Sequence, residues 1–203
     1  MALNFANNNS LSAITTKPSG LSGGSMNLIS TQTASSSSTI DFTSGIDSTY
    51  DEYVFKFYNI HPATDGSQFT FQADTGTNTN YNQTITSTHF RTYHNEAGTE
   101  AGVGYNLQDD QAQGTAFQVL AHDGTVGNAN DENLNGTLHI FNPSSSVFIK
   151  HFMAFTSANH SGEYQIQSFP AGYFNTTTAL TRFRFKFASG NIDSGVIKLY
   201  GVS

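Results

Sequence analysis

The stretch that decides the fold class is Leu180-Thr181-Arg182-Phe183-Arg184-Phe185-Lys186-Phe187. Phenylalanines and cations alternate along it with a period of two, which is the spacing of a pleated strand because successive side chains point to opposite faces. The following residues, 189–195, are rich in Gly, Asn, Asp and Ser and predict a turn. The chain then continues through an apolar stretch, so we predict a β-hairpin over residues 180–202 near the centre of a sheet, with one aromatic and one cationic face.

The composition of the chain is typical of the same class. The 203 residues are enough for one sizeable domain, and they include 17 Phe and 9 Tyr but only 11% charged residues. Alternating segments separated by turns predict about ten strands, the spacing of a sandwich or barrel. We therefore predict an all-β, antiparallel β-sandwich of jelly-roll type, with helix confined to one short turn over residues 105–113.

Residues 1–25 differ from the rest of the chain. They are rich in Asn, Gly and Ser, and they predict an extended N-terminal arm that precedes a β-sandwich domain over residues 26–203. Two interpretations of the arm stay open: a frayed terminus, or an anchor that becomes ordered against a neighbouring subunit. The apolar side chains that an anchor would bury are Leu3, Phe5, Leu11, Ile14 and Leu21.

The clearest strand in the first half covers residues 52–60, where Tyr53, Phe55 and Phe57 fall on one face. A Pro- and Gly-containing turn follows, and we predict that residues 68–73 pair back on this strand as a hairpin. In residues 82–93, the apolar residues Ile85 and Phe90 have opposite parity, which predicts a bulge or a bend between them.

Charge and cysteine content restrict the partners. The net charge is −7, which argues against nucleic acid because phosphate neutralisation needs clustered cations. There is no cysteine, so disulfides and thiolate metal sites are excluded. We see neither a signal peptide at the start of the sequence nor an apolar stretch long enough to span a bilayer, and we expect synthesis in a cytoplasm and no membrane partner.

No motif predicts catalysis. The acidic doublets Asp109–Asp110 and Asp131–Glu132 could supply a carboxylate pair for glycoside hydrolysis, but adjacent acids on polar loops are expected to be solvated. Gly-x-Ser-x-Gly does not occur, and a weak calcium site in the loop 127–135 stays open. We therefore expect no catalytic residue and no cofactor. We also expect no metal, because the histidines are far apart in the sequence: His61, His89, His94, His122, His139, His151 and His160.

Tyrosines are candidates for stacking on sugar rings if they are exposed. The alternative, which we favour for each of them, is packing in the core or between subunits. The candidates are Tyr50, Tyr53, Tyr81, Tyr93, Tyr105 and Tyr164.

Short segments spread from about residue 29 to the end carry a resemblance. They are NIHPATD at 59–65, DQAQGT at 110–115, FNPSS at 141–145, KHF at 150–152, AGYFNTT at 171–177, SGNIDSG at 189–195 and IKLYG at 197–201. In this order they resemble a group of virion structural proteins from tailed phages of marine bacteria, cyanophages prominent among them. The resemblance implies a β-rich, non-enzymatic protein on the outside of a bacteriophage particle, and it carries over no catalytic residue.

Two locations in the virion follow from the resemblance. The favoured one is a capsid decoration (cement) protein, attached to the major capsid protein or other virion subunits through the arm and one sheet face. The alternative is a tail or tail-fibre component that binds a host-glycan receptor. In either case we expect a homo-oligomer, with a trimer favoured. The expected subunit contacts are the five apolar arm residues and Arg182, Arg184 and Lys186, which would face a neighbouring acidic subunit.

Overall fold

The computed structural model describes residues 26–122 and 126–202 of the chain. Its elements are thirteen β-strands: β1 (Met26–Ser37), β2 (Ile40–Phe42), β3 (Glu52–Pro62), β4 (Phe69–Thr75), β5 (Ile85–Asn95), β6 (Ala101–Tyr105), β7 (Ala112–Gly114), β8 (Gln118–Val119), β9 (Leu134–Phe141), β10 (Lys150–His160), β11 (Tyr164–Phe174), β12 (Leu180–Phe187) and β13 (Ile192–Val202). The all-β prediction is confirmed. The number of strands exceeds the predicted ten because it includes three strands of only two or three residues, β2, β7 and β8, which are too short to show an alternating pattern.

The strands form two antiparallel sheets. The large sheet has the order β1-β13-β3-β9-β10-β11-β5-β6, with β7 pairing β5 next to β6, and the small sheet has the order β2-β12-β4-β8. Many neighbours in a sheet are therefore remote in the sequence, as β1 is from β13 and β2 is from β12.

Both predicted hairpins are wrong. Strand β12 lies between β2 and β4 in the small sheet, whereas β13 lies between β1 and β3 in the large sheet, so residues 188–191 carry the chain from one sheet to the other. Likewise β4 pairs β12 and not β3. In both cases consecutive strands turn apolar faces towards the space between the two sheets. Phe57 of β3 and Phe69 of β4, for example, meet there with ring centroids 5.3 Å apart, which side-by-side pairing would not achieve.

Aromatic side chains fill the space between the sheets. Phe183, Phe185 and Phe187 of β12 are buried there, and Phe185 contacts the rings of five others. Most of these contacts are edge-to-face, the geometry that aromatic quadrupoles favour. The rings that surround Phe185 are Phe42, Phe55, Phe57, Phe69 and Phe71.

Two local predictions are also corrected. Residues 105–113 form the end of β6, a turn and the start of β7 instead of a helical turn, because the Asn106 N–H continues the pairing with β5 by donating to the His89 carbonyl over 2.9 Å. The predicted bulge or bend between Ile85 and Phe90 is not needed, since Ile85–Asn95 pairs with β11 without a register shift. Ile85 and Phe90 simply point to opposite faces of one regular strand.

The predicted turn over residues 189–195 is shorter than expected. Gly190, with φ +71°, makes the turn, and β13 already begins at Ile192. Gly195 is a break in the pairing of β13 with β3: its φ is +125°, and a Cβ atom there would lie 2.7 Å from the Asn59 carbonyl oxygen. Glycine is needed at 195 because a side chain would meet the backbone of the neighbouring strand.

Candidate functional site

The cations predicted as subunit contacts all have partners within the chain. Arg184 makes a two-pronged ion pair with Asp41, with Nε–Oδ1 and Nη2–Oδ2 distances of 2.8 and 2.6 Å, and this hydrogen bonding raises the pKa of Arg184. Arg182 Nε donates to the Gly76 carbonyl over 2.9 Å. Lys186 Nζ lies 4.6 Å from the ring centre of Phe117. These partners stabilise the exposed face of the small sheet, and a contact of these cations with another subunit stays a prediction.

The arm residues Leu3, Phe5, Leu11, Ile14 and Leu21 lie outside the described residues. The anchor and the frayed terminus therefore both remain open. The described chain starts with β1 at Met26, the first residue of the predicted domain.

The face of the large sheet that points away from the small sheet carries an apolar ridge. We call it the outer ridge, and its members are Phe90, Met153, Phe155 and Phe169. Phe90 and Phe169 stack with ring centroids 4.7 Å apart and planes 9° from parallel, and Phe155 lies 5.2 Å from Phe169. The exposed fractions are 44% for Phe90, 53% for Met153 and 39% for Phe155. Three large apolar side chains thus contact solvent on the regular strands β5 and β10.

A shallow groove of about 450 Å³ adjoins the outer ridge. Met153 belongs to both, and Ala171 and Gly172 of β11 contribute small residues to the groove. Among the described residues, no carboxylate, lysine or arginine lines it; its larger, at least partly exposed lining residues are Phe141, His151, Met153 and Tyr173, while the ring of Phe152 packs on the core side. The outer ridge and this groove together make an uncharged apolar surface, which we call the outer apolar face. Large contiguous apolar patches are rare on the surfaces of monomeric soluble proteins, and they often mark interaction sites.

A buried polar network lies on the opposite side of β5. Asp109 is 1% exposed, and its Oδ2 lies 2.5 Å from His122 Nδ1 and 3.9 Å from His89 Nδ1. The expectation that the Asp109–Asp110 doublet is solvated is therefore wrong for Asp109, because imidazole and amide partners compensate its burial. Asp110 stays at the surface and accepts a hydrogen bond from the Tyr105 hydroxyl over 2.5 Å.

His89 is fully buried, and neither ring nitrogen has a hydrogen-bond partner in the described part of the chain. Burial lowers the pKa of His89 to about 4, against the weaker upward effect of Asp109, so the ring is neutral at pH 7. The pair Asp109–His122 has the arrangement of a carboxylate that orients an imidazole base, but both residues are shielded from solvent. Within residues 26–122 and 126–202, no group of three or more His, Asp or Glu side chains is arranged to hold a metal ion.

A polar pocket of about 200 Å³ opens where β5 ends and β11 begins, and we call it the end pocket. It brings together two of the predicted sugar-stacking tyrosines: Tyr93 and Tyr164 have ring centroids 6.3 Å apart and planes at 61°. Its complete lining is Arg91, Tyr93, Glu100, His160, Tyr164 and Ile166. The Asp131–Glu132 doublet lies next to it, in a smaller cleft that shares His160 and Tyr164.

The other candidate tyrosines are elsewhere. Tyr53 and Tyr81 are buried, which rules out sugar stacking for them, and Tyr50 packs edge-on against Tyr53 at 5.8 Å. Tyr105 is 54% exposed. Sequence reasoning did not bring His89, Asp109 and Arg91 together. One signal was available: residues 85, 87, 89, 91 and 93 alternate along one strand, so Ser87, His89 and Arg91 share the inner face with Ile85.

Comparison with known proteins yields no relative: no family model, no curated protein and no solved structure matches the chain. In the described part of the chain there is no helix with the length and apolar character needed to cross a bilayer.

Proposed function

We propose that the chain is a non-enzymatic structural protein on the outside of a tailed-phage particle, and that it binds other virion subunits through the outer apolar face. The observation that carries the proposal is the exposure of Phe90, Met153 and Phe155 beside an uncharged groove. The resemblance of the sequence segments to virion structural proteins indicates which kind of partner covers this face.

The chemistry of the outer apolar face favours a protein partner. Covering it removes apolar surface from water, which is favourable at roughly 25 cal/mol per Å². Within residues 26–122 and 126–202, no Asp, Glu, Lys or Arg side chain lines the groove, so a partner meets little desolvation cost there. The ridge stands on β5, β10 and β11, which are neighbours inside the large sheet and hold the rings in place before binding.

The strand order supports a more specific description of the fold, the β-sandwich of jelly-roll type. Strands β1-β13-β3-β9 form one run and β2-β12-β4-β8 form the other, so each of the first strands pairs with one of the last. Jelly rolls build viral capsid proteins and also lectins, so the fold fits both the decoration and the receptor-binding interpretations. The outer apolar face, which is broad and lies on a sheet, favours the decoration protein.

Self-association is part of the proposal. Strand β1 is an edge strand of twelve residues without a charged side chain or a proline. Such edges tend to pair with another strand unless they are covered. We propose a homo-oligomer, with a trimer favoured, on the virion surface.

The proposal is tested by binding of the purified full-length chain to particles assembled without it. The double variant Met153→Glu and Phe155→Glu is expected to lose at least tenfold in affinity in a co-sedimentation assay, because the carboxylates would be desolvated in the interface. The control is Leu107→Glu, which adds one carboxylate at a 77% exposed apolar side chain in a turn outside the outer apolar face; each single variant, Met153→Glu and Phe155→Glu, is compared with it charge for charge.

Wild-type affinity in the double variant overturns the role of the face. Imaging of the decorated particle separates the two locations: density on the head supports decoration, and density on the tail supports the fibre alternative. Failure of the wild-type chain to bind any part of the particle overturns the proposal as a whole.

A further inference from the structure

The walls of the end pocket are aromatic and held in place. Tyr93 lies against Gly102 of β6, where a Cβ atom would be 2.8 Å from the Tyr93 hydroxyl oxygen, so a side chain at 102 would displace the ring. Tyr164 is held by a hydrogen bond from its hydroxyl to a carboxylate oxygen of Glu100. The two rings therefore present fixed apolar faces at 61° to each other.

The end pocket is also lined by a cation, Arg91, whose hydrogen-bonding capacity is not fully used among the described residues. Arg91 lies with its guanidinium carbon 5.1 Å from the ring centre of Tyr93, and its Nε atom is buried without a partner. Among the described residues Arg91 forms no ion pair within 4.0 Å. A buried guanidinium N–H without a partner is costly unless a ligand or water accepts its hydrogen bond.

His160 supplies a second donor. Its Nδ1 accepts a hydrogen bond from the Gly162 N–H over 2.8 Å, so the neutral ring carries its proton on Nε2. Burial lowers the pKa of His160, and it therefore favours this neutral form. The carboxylate of Glu100 accepts from Tyr164 and has further lone pairs for a ligand hydroxyl.

Charge selects among possible ligands. The cation Arg91 and the anion Glu100 line the same pocket, so its own charges cancel. The adjoining cleft is lined by acidic residues, Glu96, Asp131, Glu132 and Glu163, which repel anionic ligands. Mixed donors and acceptors between two aromatic faces fit a neutral ring that has apolar C–H faces and a belt of hydroxyl groups.

We infer that the end pocket binds a single neutral sugar residue of a glycan, stacked on Tyr93 and Tyr164 and hydrogen-bonded to Arg91, Glu100 and His160. The pocket is separate from the outer apolar face, and the inference does not depend on the proposed virion role. A pocket of about 200 Å³ is small, so one pyranose ring should bind with a Kd on the order of 1 mM. Tighter attachment would need several copies of the site.

The test uses the full-length protein and a panel of neutral methyl pyranosides, with saturation-transfer difference NMR as the readout. At least one pyranoside is expected to receive saturation. The same sugar should shift the Arg91 Nε–H resonance while Arg182 and Arg184, whose Nε–H groups already bond to Gly76 and Asp41, stay unshifted. No saturation of any neutral pyranoside, or stronger binding of the matching methyl uronate, overturns the inference.

A pair of variants tests the placement. Glu100→Gln removes the carboxylate that holds Tyr164, and it is expected to weaken the sugar at least tenfold. Asp110→Asn is the matched control, because Asp110 holds Tyr105 in the same way outside the pocket. Equal binding by the wild type and Glu100→Gln, with both proteins folded by circular dichroism, overturns the site. The arginine resonances of the wild type decide the question if the variant fails to fold.

Discussion

The inner face of the large sheet is apolar in one half and polar in the other. On β3 and β13, under the small sheet, the buried side chains are Phe55, Phe57, Ile197 and Leu199. On β5 and β11, the corresponding positions include Ser87, His89 and Ser168, which are buried as well. The two halves belong to one continuous sheet and have the same strand geometry, but different elements cover them.

The cover explains the difference. A sheet covers the apolar half, and its backbone groups are already paired with neighbouring strands. The polar half is covered by the segment that runs from Asp109 to His122, of which only Gln118–Val119 (β8) pairs in the small sheet, so many of its carbonyl groups need other donors. Gln118 donates to the carbonyls of Asp109 and Val119 over 2.9 and 3.1 Å, and Thr156 donates to that of Leu120 over 2.7 Å.

The largest expected effect comes from the apolar half. Phe185→Ala should lower the free energy of unfolding by about 4 kcal/mol, because it leaves a cavity between five aromatic rings. Phe90→Ala, at a 44% exposed position on the outer ridge, should cost less than about 1 kcal/mol. Urea unfolding measures both. Equal losses would show that the outer ridge is as tightly packed as the core.

Acid should act on the polar half. The pKa of His89 is lowered from 6.5 to about 4, so the unfolded chain takes up a proton at a higher pH than the folded chain. The stability present above pH 6.5 is therefore lost as the pH falls through 4, and the loss from this group is about 3 kcal/mol. His89→Gln should remove most of this pH dependence. An unchanged slope in the variant would assign the acid sensitivity to other groups.

Gln118 tests whether hydrogen bonds hold the covering segment. Gln118→Met keeps the size of the side chain but leaves two buried carbonyls and the Ser87 hydroxyl without their partner, at a cost of about 2 kcal/mol. Gln165→Met, on the exposed side of β11, is the control and should be close to neutral. A neutral Gln118→Met would mean that packing alone holds the segment.

The smallest expected effect is at Thr156, where the two halves meet. Thr156→Val replaces a hydroxyl that donates to Leu120 by a methyl group of the same shape, and it should cost about 1 kcal/mol. Thr137→Val, on the outer face of β9, should change stability by less than about 0.5 kcal/mol. If Thr156→Val stabilised the protein, the hydrogen bond to Leu120 would not contribute to stability, and position 156 would behave like the apolar half of the sheet.

Sequence reasoning predicted the strands better than their partners. The alternation in β12 and β3 correctly places their phenylalanines inside, because the period of two is a property of the backbone itself. The two hairpins were wrong because a turn signal marks only a change of direction, and the chain can turn within a sheet or between sheets.

The candidate sites divide in the same way. The residues of the end pocket come from positions 91, 93, 100, 160, 164 and 166, and only the residue type of Tyr93 and Tyr164 pointed to a ligand before the fold was known. Asp109 looked like any loop carboxylate, since nothing near it in the sequence announces His122 and Gln68 as its partners.

The sequence by itself determined the all-β class, the inward faces of the strands and the absence of cysteine chemistry, because these depend on residue type and on local backbone geometry. The tertiary structure alone decided that β12 and β13 belong to different sheets, that Arg184 pairs with Asp41, and that two tyrosines share the end pocket. These contacts join residues far apart in the chain. They form where the burial of aromatic faces outweighs the entropy of closing long loops, which no local pattern encodes.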